Sequence, residues 1–196
     1  LMVHEFKKSL VFEKSQFQRA DNFYREVLHV NEIRRFSTDS TEDMRMQLQD
    51  IDVELIKNNQ AFNVSEKFRD KDFGDLYLEV FSKYPHTRGW LETGSADMLV
   101  YFVPEAVYCC NAQILRKFCV NKLFPEIPDE WYKEIFCSDA AINSKNLNFF
   151  GQQTIIHLIK ANNQTADGNR WCTIGISVSF DFLKNNGLDI RKFMFS

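Results

Sequence analysis

The chain has 196 residues, enough for one well-filled core with a small appendage and too few for two domains of average size. Its composition, 44% hydrophobic and 26% charged with 19 Phe, 7 Gly and 4 Pro, is typical of a compact globular protein and argues against disorder. The formal net charge of -3 gives no overall attraction to nucleic acid, so any phosphate binding has to come from local basic clusters.

The five cysteines include no CxxC pair, and the four histidines are scattered without metal-ligand spacing. These features disfavour a zinc site and fit a reducing compartment. No apolar run approaches the ~18 residues that a membrane span requires, and the first ten residues lack the apolar segment of a signal peptide. We therefore expect a cytoplasmic protein without membrane association.

The first part of the chain predicts a helix followed by a β-hairpin. Apolar residues recur at helical spacing over residues 15–30, with Ser15 as the N-cap. A short strand or extended lead is expected over residues 31–36 and a loop over residues 37–43. Alternating residues then predict a strand over 46–56, a KNNQ turn and a return strand over 61–68.

The next elements complete a predicted α/β core over residues 1–120. A charged loop, RDKDFGD, leads to LYLEVF (residues 76–81), which is apolar enough for a strand or a helix. After a loop over residues 83–94, strands are expected over residues 97–102 and 106–110, and Asn111 caps a helix over residues 112–120. The fold class expected is α/β, with a mixed central sheet flanked by helices.

Residues 121–196 are predicted to form a small α+β extension packed on this core. Their pattern is weaker and rich in Asn. The elements expected are a short helix near residues 131–136, strands over residues 154–159 and 173–180, and a final short helix or tail.

The predicted hairpin groups charged residues in an unusual way. Side chains two apart on a strand share a face, so Asp50, Asp52 and Glu54 are expected to lie together on the first strand. On the return strand, one face carries Asn63, Ser65, Lys67 and Arg69, and the other carries Phe62, Val64, Glu66 and Phe68. The carboxylate of Glu66 is thus expected on an apolar face. Such a placement costs roughly several kcal/mol unless the carboxylate is paired, hydrogen-bonded or bound to metal.

The order of motifs from about residue 15 to residue 120 resembles phage and bacterial members of the PD-(D/E)XK nuclease superfamily, which has the restriction-endonuclease-like fold. The motifs are QDIDV with Asp52, SEKFR with Glu66 and Lys67, GDLYLEV with Glu79, and the run GWLETGSADMLVYFVPEAVY. The resemblance implies a deoxyribonuclease that hydrolyses phosphodiester bonds with Mg²⁺ or Mn²⁺. It implies Asp52, Glu66 and Glu79 as metal-binding acids and Lys67 as the catalytic lysine.

Basic residues near these motifs are candidates for DNA contacts. Arg69 and Lys71 follow the lysine strand, and Arg34 and Arg35 form a second cluster. Contacts of this kind hold the phosphate backbone without reading the base sequence. DNA is the expected partner, and a homodimer is an assembly that the sequence allows.

One position departs from the common form of the motif, in which the second acid stands two residues before the lysine. Here that position is Ser65, and Glu66 is adjacent to Lys67. Three alternatives follow: a bulge turns Glu66 inward, Glu79 or Asp50 reaches the metal instead, or the site has lost its metal. In the last case the chain is a non-catalytic DNA-binding or protein-interaction module, with a role against host defence or in assembly, on the same fold.

Overall fold

The computed structural model describes residues 6–37, 40–165 and 168–196, which form a mixed α/β structure with two sheets and six α-helices. The helices are α1 (Phe6–Glu26), α2 (Thr41–Leu48), α3 (Trp90–Thr93), α4 (Ala112–Phe118), α5 (Asp129–Cys137) and α6 (Phe180–Asn185). The strands are β1 (Glu32–Arg35), β2 (Val53–Lys57), β3 (Gln60–Phe68), β4 (Asp75–Lys83), β5 (Thr87–Arg88), β6 (Met98–Val103), β7 (Ala106–Asn111), β8 (Ile142–Phe149), β9 (Gln152–Gln164), β10 (Arg170–Ser179) and β11 (Ile190–Met194).

The chain divides into two compact units that are each built from separate segments. The hairpin unit, so named because it contains β2 and β3, consists of Leu10–Phe73, Gly94–Leu115 and Leu188–Ser196. The five-strand unit consists of Gly74–Thr93 and Arg116–Gly187 with the first residues of α1. The sequence predicts a single division of the chain, at residue 120. The chain instead crosses between the units several times, because β4 pairs with β10 and β11 pairs with β7.

The sheet of the hairpin unit has the strand order β1-β2-β3-β6-β7-β11. Its neighbouring strands are antiparallel except for β3 and β6, which run parallel with Val64 opposite Met98. The sheet is therefore mixed, as predicted, and β3 is one of its two central strands.

Helix α1 packs on one face of this sheet through a cluster of aromatic rings. Phe23 is fully buried, with its ring centroid 5.8 Å from that of Phe102 and 5.5 Å from those of Phe193 and Phe195. Burial of such rings is a large part of what stabilises a core. The buried residues of this core are Ala20, Phe23, Tyr24, Val53, Leu55, Val64, Val100, Phe102, Val107 and Cys109.

The predicted first helix is confirmed in type, but its start is wrong. Helix α1 begins at Phe6, so Ser15 lies inside it and donates its hydroxyl to the carbonyl of Phe12 at 2.5 Å. A serine that bonds to the preceding turn of its own helix is a known alternative to a cap. The residue type alone could not distinguish the two positions.

The segment before β2 is also different from the prediction. Instead of one strand over 46–56, the chain forms α2 and then a short β2. The helix begins there because the hydroxyl of Ser40 accepts a hydrogen bond from the backbone N–H of Asp43 at 3.0 Å, and Glu42 and Asp43 lie in the first turn, where acids are favoured. The hairpin itself is confirmed. Asn58 and Asn59 form its turn with φ of 51° and 61°, which is the left-handed geometry of a two-residue hairpin loop.

The five-strand unit is an antiparallel sheet in the order β5-β4-β10-β9-β8. The ambiguous LYLEVF segment is therefore a strand, and most of residues 142–179 is strand as well. Helix α5 packs against this sheet, with the ring of Tyr132 5.5 Å from that of Phe81. Among the helices that the structure describes, none has the length and apolar character needed to cross a bilayer.

Candidate functional site

The β2-β3 hairpin holds Asp52 at the point where β2 begins. The backbone N–H of Asp52 donates to the carbonyl of Val64 at 2.9 Å, which extends the pairing of the two strands by one residue. In return, Oδ2 of Asp52 accepts the backbone N–H of Glu66 at 2.7 Å. The carboxylate of Asp52 is thus fixed beside β3 by the backbone of that strand.

Lys67 and Ser65 both contact Asp50 from β3, and Lys67 also lies near Asp52. The Nζ atom of Lys67 lies 2.7 Å from Oδ1 of Asp50 and 3.6 Å from Oδ2 of Asp52. The hydroxyl of Ser65 donates to Oδ2 of Asp50 at 2.6 Å. We call these four residues, Asp50, Asp52, Ser65 and Lys67, the lysine–aspartate cluster. It brings together two predicted site residues, Asp52 and Lys67, with Asp50, which was one of the alternatives.

Asp50 reaches this cluster from an irregular connection and not from a strand. It lies between α2 and β2 with a φ of 55°, and its backbone N–H donates to Gln47 at 3.0 Å. Aspartate is one of the few residues other than glycine that adopt this left-handed conformation. The next residue, Ile51, is buried, which holds the connection in place.

The pKa of Asp52 responds both to its burial and to the charges around it. Burial raises the pKa of Asp52, and the neighbouring charge of Asp50 raises it further, whereas Lys67 lowers it. Glu13 on α1 belongs to the same electrostatic environment: burial raises its pKa first, the charges of Asp52 and Glu66 add to the effect, and Lys67 opposes it. Glu13 is not predicted as a site residue from the sequence, since a single glutamate outside the predicted helix carries no signal of its own.

Glu66 takes part in a different set of contacts. Its side chain is 2% exposed and accepts the hydroxyl of Tyr24 at 2.7 Å and the guanidinium of Arg35 at 2.5 and 3.2 Å. Arg35 also binds Asp21 at 2.6 Å. Burial raises the pKa of Glu66, while Arg35 and Tyr24 lower it. The carboxylate on the apolar face of β3 is therefore an ion-paired core group, and the geometry associates its backbone, not its side chain, with Asp52.

Two of the predicted DNA-contacting residues lie at the surface. Lys71 is exposed, and Arg34 is 51% exposed with Glu42 and Asp43 at 3.7 and 3.8 Å. The guanidinium of Arg69 lies 5.5 Å from the ring centre of Phe73.

Arg35 differs from these residues because its guanidinium is covered. It stacks 4.4 Å from the ring centre of Phe17 while it binds the two carboxylates of Asp21 and Glu66. A phosphate would have to replace one of these carboxylate partners.

Glu79 belongs to the five-strand unit. It lies on β4 opposite Gly175 of β10. The backbone of Glu79 is approached closely by Gly89: a Cβ atom at Gly89 would lie 2.3 Å from the Glu79 carbonyl oxygen. Glu79 therefore belongs to a different unit from the lysine–aspartate cluster.

The donors in the cluster suit a hard cation. Among the residues that the structure describes, no three His, Cys, Asp or Glu side chains form a group that could hold a metal ion. Mg²⁺ needs fewer, since it keeps several waters and takes one or two protein carboxylates. The carboxylate oxygens of Asp50 and Asp52, which share the Lys67 ammonium, fit this requirement.

Comparisons with known proteins identify no relative of this chain. The chain matches no protein-family model, no curated protein and no solved structure.

Proposed function

We propose that this chain is a metal-dependent nuclease of the PD-(D/E)XK type that hydrolyses phosphodiester bonds in DNA. The finer fold assignment, restriction-endonuclease-like, is part of this proposal, and the mixed sheet with β3 in its centre supports it. One observation carries the proposal. The ammonium of Lys67 lies beside the carboxylates of Asp50 and Asp52, on the hairpin where the motif resemblance requires an acid and a lysine.

The two aspartates and the lysine of the cluster would have different roles in the reaction. Asp52, with Asp50, would hold Mg²⁺, which when bound polarises the phosphate and lowers the pKa of a coordinated water. The Lys67 ammonium supplies a positive charge that orients the attacking water or stabilises the negative charge of the transition state. The side chain of Lys67 is 25% exposed, so a phosphate oxygen can approach its ammonium from solvent.

Surface cations of the hairpin unit would position the DNA. Arg69 and Lys71 lie just beyond the end of β3, and Arg34 lies on β1 with half of its side chain exposed. Contacts from these residues to flanking phosphates hold the backbone and make affinity dependent on salt. The proposal leaves out Arg35, whose guanidinium is engaged with Glu66 and Asp21.

Cleavage of supercoiled plasmid tests the proposal. Wild type, Lys67→Ala and Asp52→Asn are incubated with Mg²⁺, with Mn²⁺ and with EDTA. We expect cleavage only with metal and a fall of about 10²- to 10³-fold in each variant, the size found when a transition-state-stabilising group is removed. Glu54→Gln serves as the matched control because Glu54 is a half-buried acid on the same β2 strand. If wild type cuts neither duplex nor single-stranded DNA with either metal, the nuclease proposal is wrong.

A non-catalytic DNA-binding module on the same fold is the second candidate. One observation favours it: the carboxylate of Glu66, the acid adjacent to the lysine, binds Tyr24 and Arg35 and is not part of the cluster. This candidate predicts salt-dependent binding of a fluorescent DNA duplex that weakens in Lys71→Ala, with no cleavage under any metal condition.

A further inference from the structure

We infer that the hairpin unit binds a small apolar monocarboxylate in a cavity beside the C-terminal end of α1. The cavity has a volume of about 760 Å³, and all the residues that line it belong to the hairpin unit. This volume lies within the range of roughly 300–1,000 Å³ that is typical of small-molecule sites. The inference goes beyond the proposed nuclease, because it concerns a second site on the same sheet.

The cavity lies where α1 no longer covers the sheet. The helix ends at Glu26, and the chain turns at His29, where φ is 55°, before it enters β1. Beyond this turn, β2, β6 and β7 contribute Leu55, Met98 and Cys109 to the cavity lining. The cavity is therefore a continuation of the core that the helix leaves open.

Most of the lining is apolar. Four of its residues pack against the core and are still only partly buried: Leu28, Val30, Met98 and Phe193. Phe62, a fifth, is 38% exposed. Transfer of such surface from water to an apolar environment is favourable, so a ligand that fits this cavity needs an apolar body.

Lys57 gives the site a preference for an anion. Its Nζ atom donates to the backbone carbonyl of Leu28 at 2.7 Å, which holds the ammonium at the cavity. An ammonium carries three donors, so this bond leaves others for a ligand. In the part of the chain that the structure describes, no carboxylate pairs with Lys57. An ionised acceptor makes a stronger hydrogen bond to a cation than a neutral one, which favours a carboxylate head group.

The other charged groups of the lining already have partners. Both oxygens of Asp97 accept hydrogen bonds at 3.0 Å, one from the backbone of β3 and one from a side chain of α4. Arg191 pairs with Asp189 at 3.1 Å. Lys57 is thus the charged group of the lining that is available to a ligand, and one negative charge satisfies it.

The cavity and the lysine–aspartate cluster lie on opposite faces of the sheet. On β3, Phe62 shares a face with Glu66, whereas Lys67 points the other way. A ligand in the cavity would not contact the cluster. Its binding can therefore be measured without metal and without DNA.

Two fluorescent dyes test the site. Anilinonaphthalene sulfonate has an aromatic body and one negative charge, and phenylnaphthylamine has the same rings without the charge. We expect wild type to bind both dyes, and decanoate to displace the sulfonate more effectively than decanol does. Lys57→Met should weaken sulfonate binding about tenfold, the scale of one charge-assisted hydrogen bond, and leave phenylnaphthylamine binding unchanged. Lys57→Arg keeps the charge and should retain sulfonate binding.

Further variants locate the dyes in the cavity. Leu28→Trp fills it with a larger side chain and Phe62→Ala removes a ring from its lining, so each should weaken both dyes. Lys192→Met is the matched control, because Lys192 lies 5.2 Å from the ring centre of Tyr108 and does not line the cavity. Circular dichroism and urea unfolding verify the fold of each variant. If Lys57→Met does not fold, Lys57→Gln removes the charge and keeps a donor for the Leu28 carbonyl.

Three results would overturn the inference. Equal loss of both dyes in the uncharged Lys57 variant would show that the lysine shapes the cavity without selecting an anion. Wild-type affinities in both Leu28→Trp and Phe62→Ala would show that the dyes bind elsewhere. A wild type that binds neither dye has no ligand site in this cavity. None of these results depends on DNA cleavage, so the nuclease proposal stands or fails separately.

Discussion

Replacing Arg35 by methionine is expected to destabilise the fold by about 3 kcal/mol, within the range known for breaking a buried ion pair. The guanidinium of Arg35 binds Glu66, whose side chain is 2% exposed, and Asp21. Removing one partner of a buried pair leaves an uncompensated charge and usually costs about 3–5 kcal/mol. We place the expected cost at the lower end because the Arg35 side chain is 20% exposed and Tyr24 still donates to Glu66.

The loss of unfolding free energy in Arg35→Met should also depend on pH, and the pKa of Glu66 gives the direction of that dependence. Burial raises the pKa of Glu66, although Arg35 and Tyr24 lower it. A carboxyl with a raised pKa stabilises the folded state below its unfolded pKa, and this contribution is lost as pH rises through the folded pKa. Loss of Arg35 raises the folded pKa further. The difference in unfolding free energy between wild type and Arg35→Met should therefore be larger at pH 8 than at pH 5.

The neighbouring arginine on β1 provides the matched control. Arg34 is 51% exposed, and its carboxylate partners lie 3.7 and 3.8 Å away. Exposed pairs of this kind contribute at most about 1 kcal/mol, so Arg34→Met should unfold at nearly the same urea concentration as wild type. Urea unfolding gives both free energies, and fluorescence anisotropy gives the affinity of each variant for a DNA duplex.

Arg35 is not a core residue if the two arginines exchange these behaviours. An Arg35→Met protein with the wild-type unfolding free energy and weakened DNA binding would identify Arg35 as a phosphate contact and not a core residue. We expect the reverse: Arg34→Met should bind DNA less tightly at unchanged stability.

Three further predictions concern other parts of the chain. Gly89→Ala should lower the unfolding free energy by about 1–3 kcal/mol or more in a urea titration, because the new Cβ would lie 2.3 Å from the backbone oxygen of Glu79. Burial raises the pKa of Cys109 to about 12, so its thiol should stay unreactive toward Ellman's reagent at pH 8, while the exposed Cys137 reacts; equal rates would contradict the burial. Asn59→Gly should raise the unfolding free energy by about 0.5 kcal/mol, because glycine adopts the φ of 61° at lower cost; a lower urea midpoint than wild type would contradict the turn geometry.

The elements that are determined by residues close together in the sequence can be predicted from it. The β2-β3 hairpin follows from alternation and from two asparagines that accept a positive φ, and the cap on α4 is made by Asn111, whose side chain accepts the N–H of Ile114 at 2.9 Å. Elements whose partners are distant in sequence were not predictable. Strand β11 completes the sheet of the hairpin unit by pairing with β7, and nothing in its own residues indicates that partner.

The same distinction applies to the candidate site. Alternation on β3 correctly separated Glu66 from Lys67, but it could not show that Arg35 and Tyr24, from β1 and α1, neutralise and satisfy Glu66. Alternation also grouped Asp50 with Asp52 for the wrong reason. Asp50 is not on a strand, and it reaches Ser65 and Lys67 only because its backbone adopts a left-handed conformation at the end of α2.

The two charged groups of β3 are linked through the backbone of the strand. The Glu66 side chain ties β3 to α1 and β1, and the N–H of the same residue holds the carboxylate of Asp52 at 2.7 Å. The next residue, Lys67, points to the opposite face, where it meets Asp50. The alternation that buries Glu66 is therefore what directs Lys67 to the aspartates. The acid adjacent to the lysine therefore contacts Asp52 through its backbone N–H and pairs with Arg35 through its side chain.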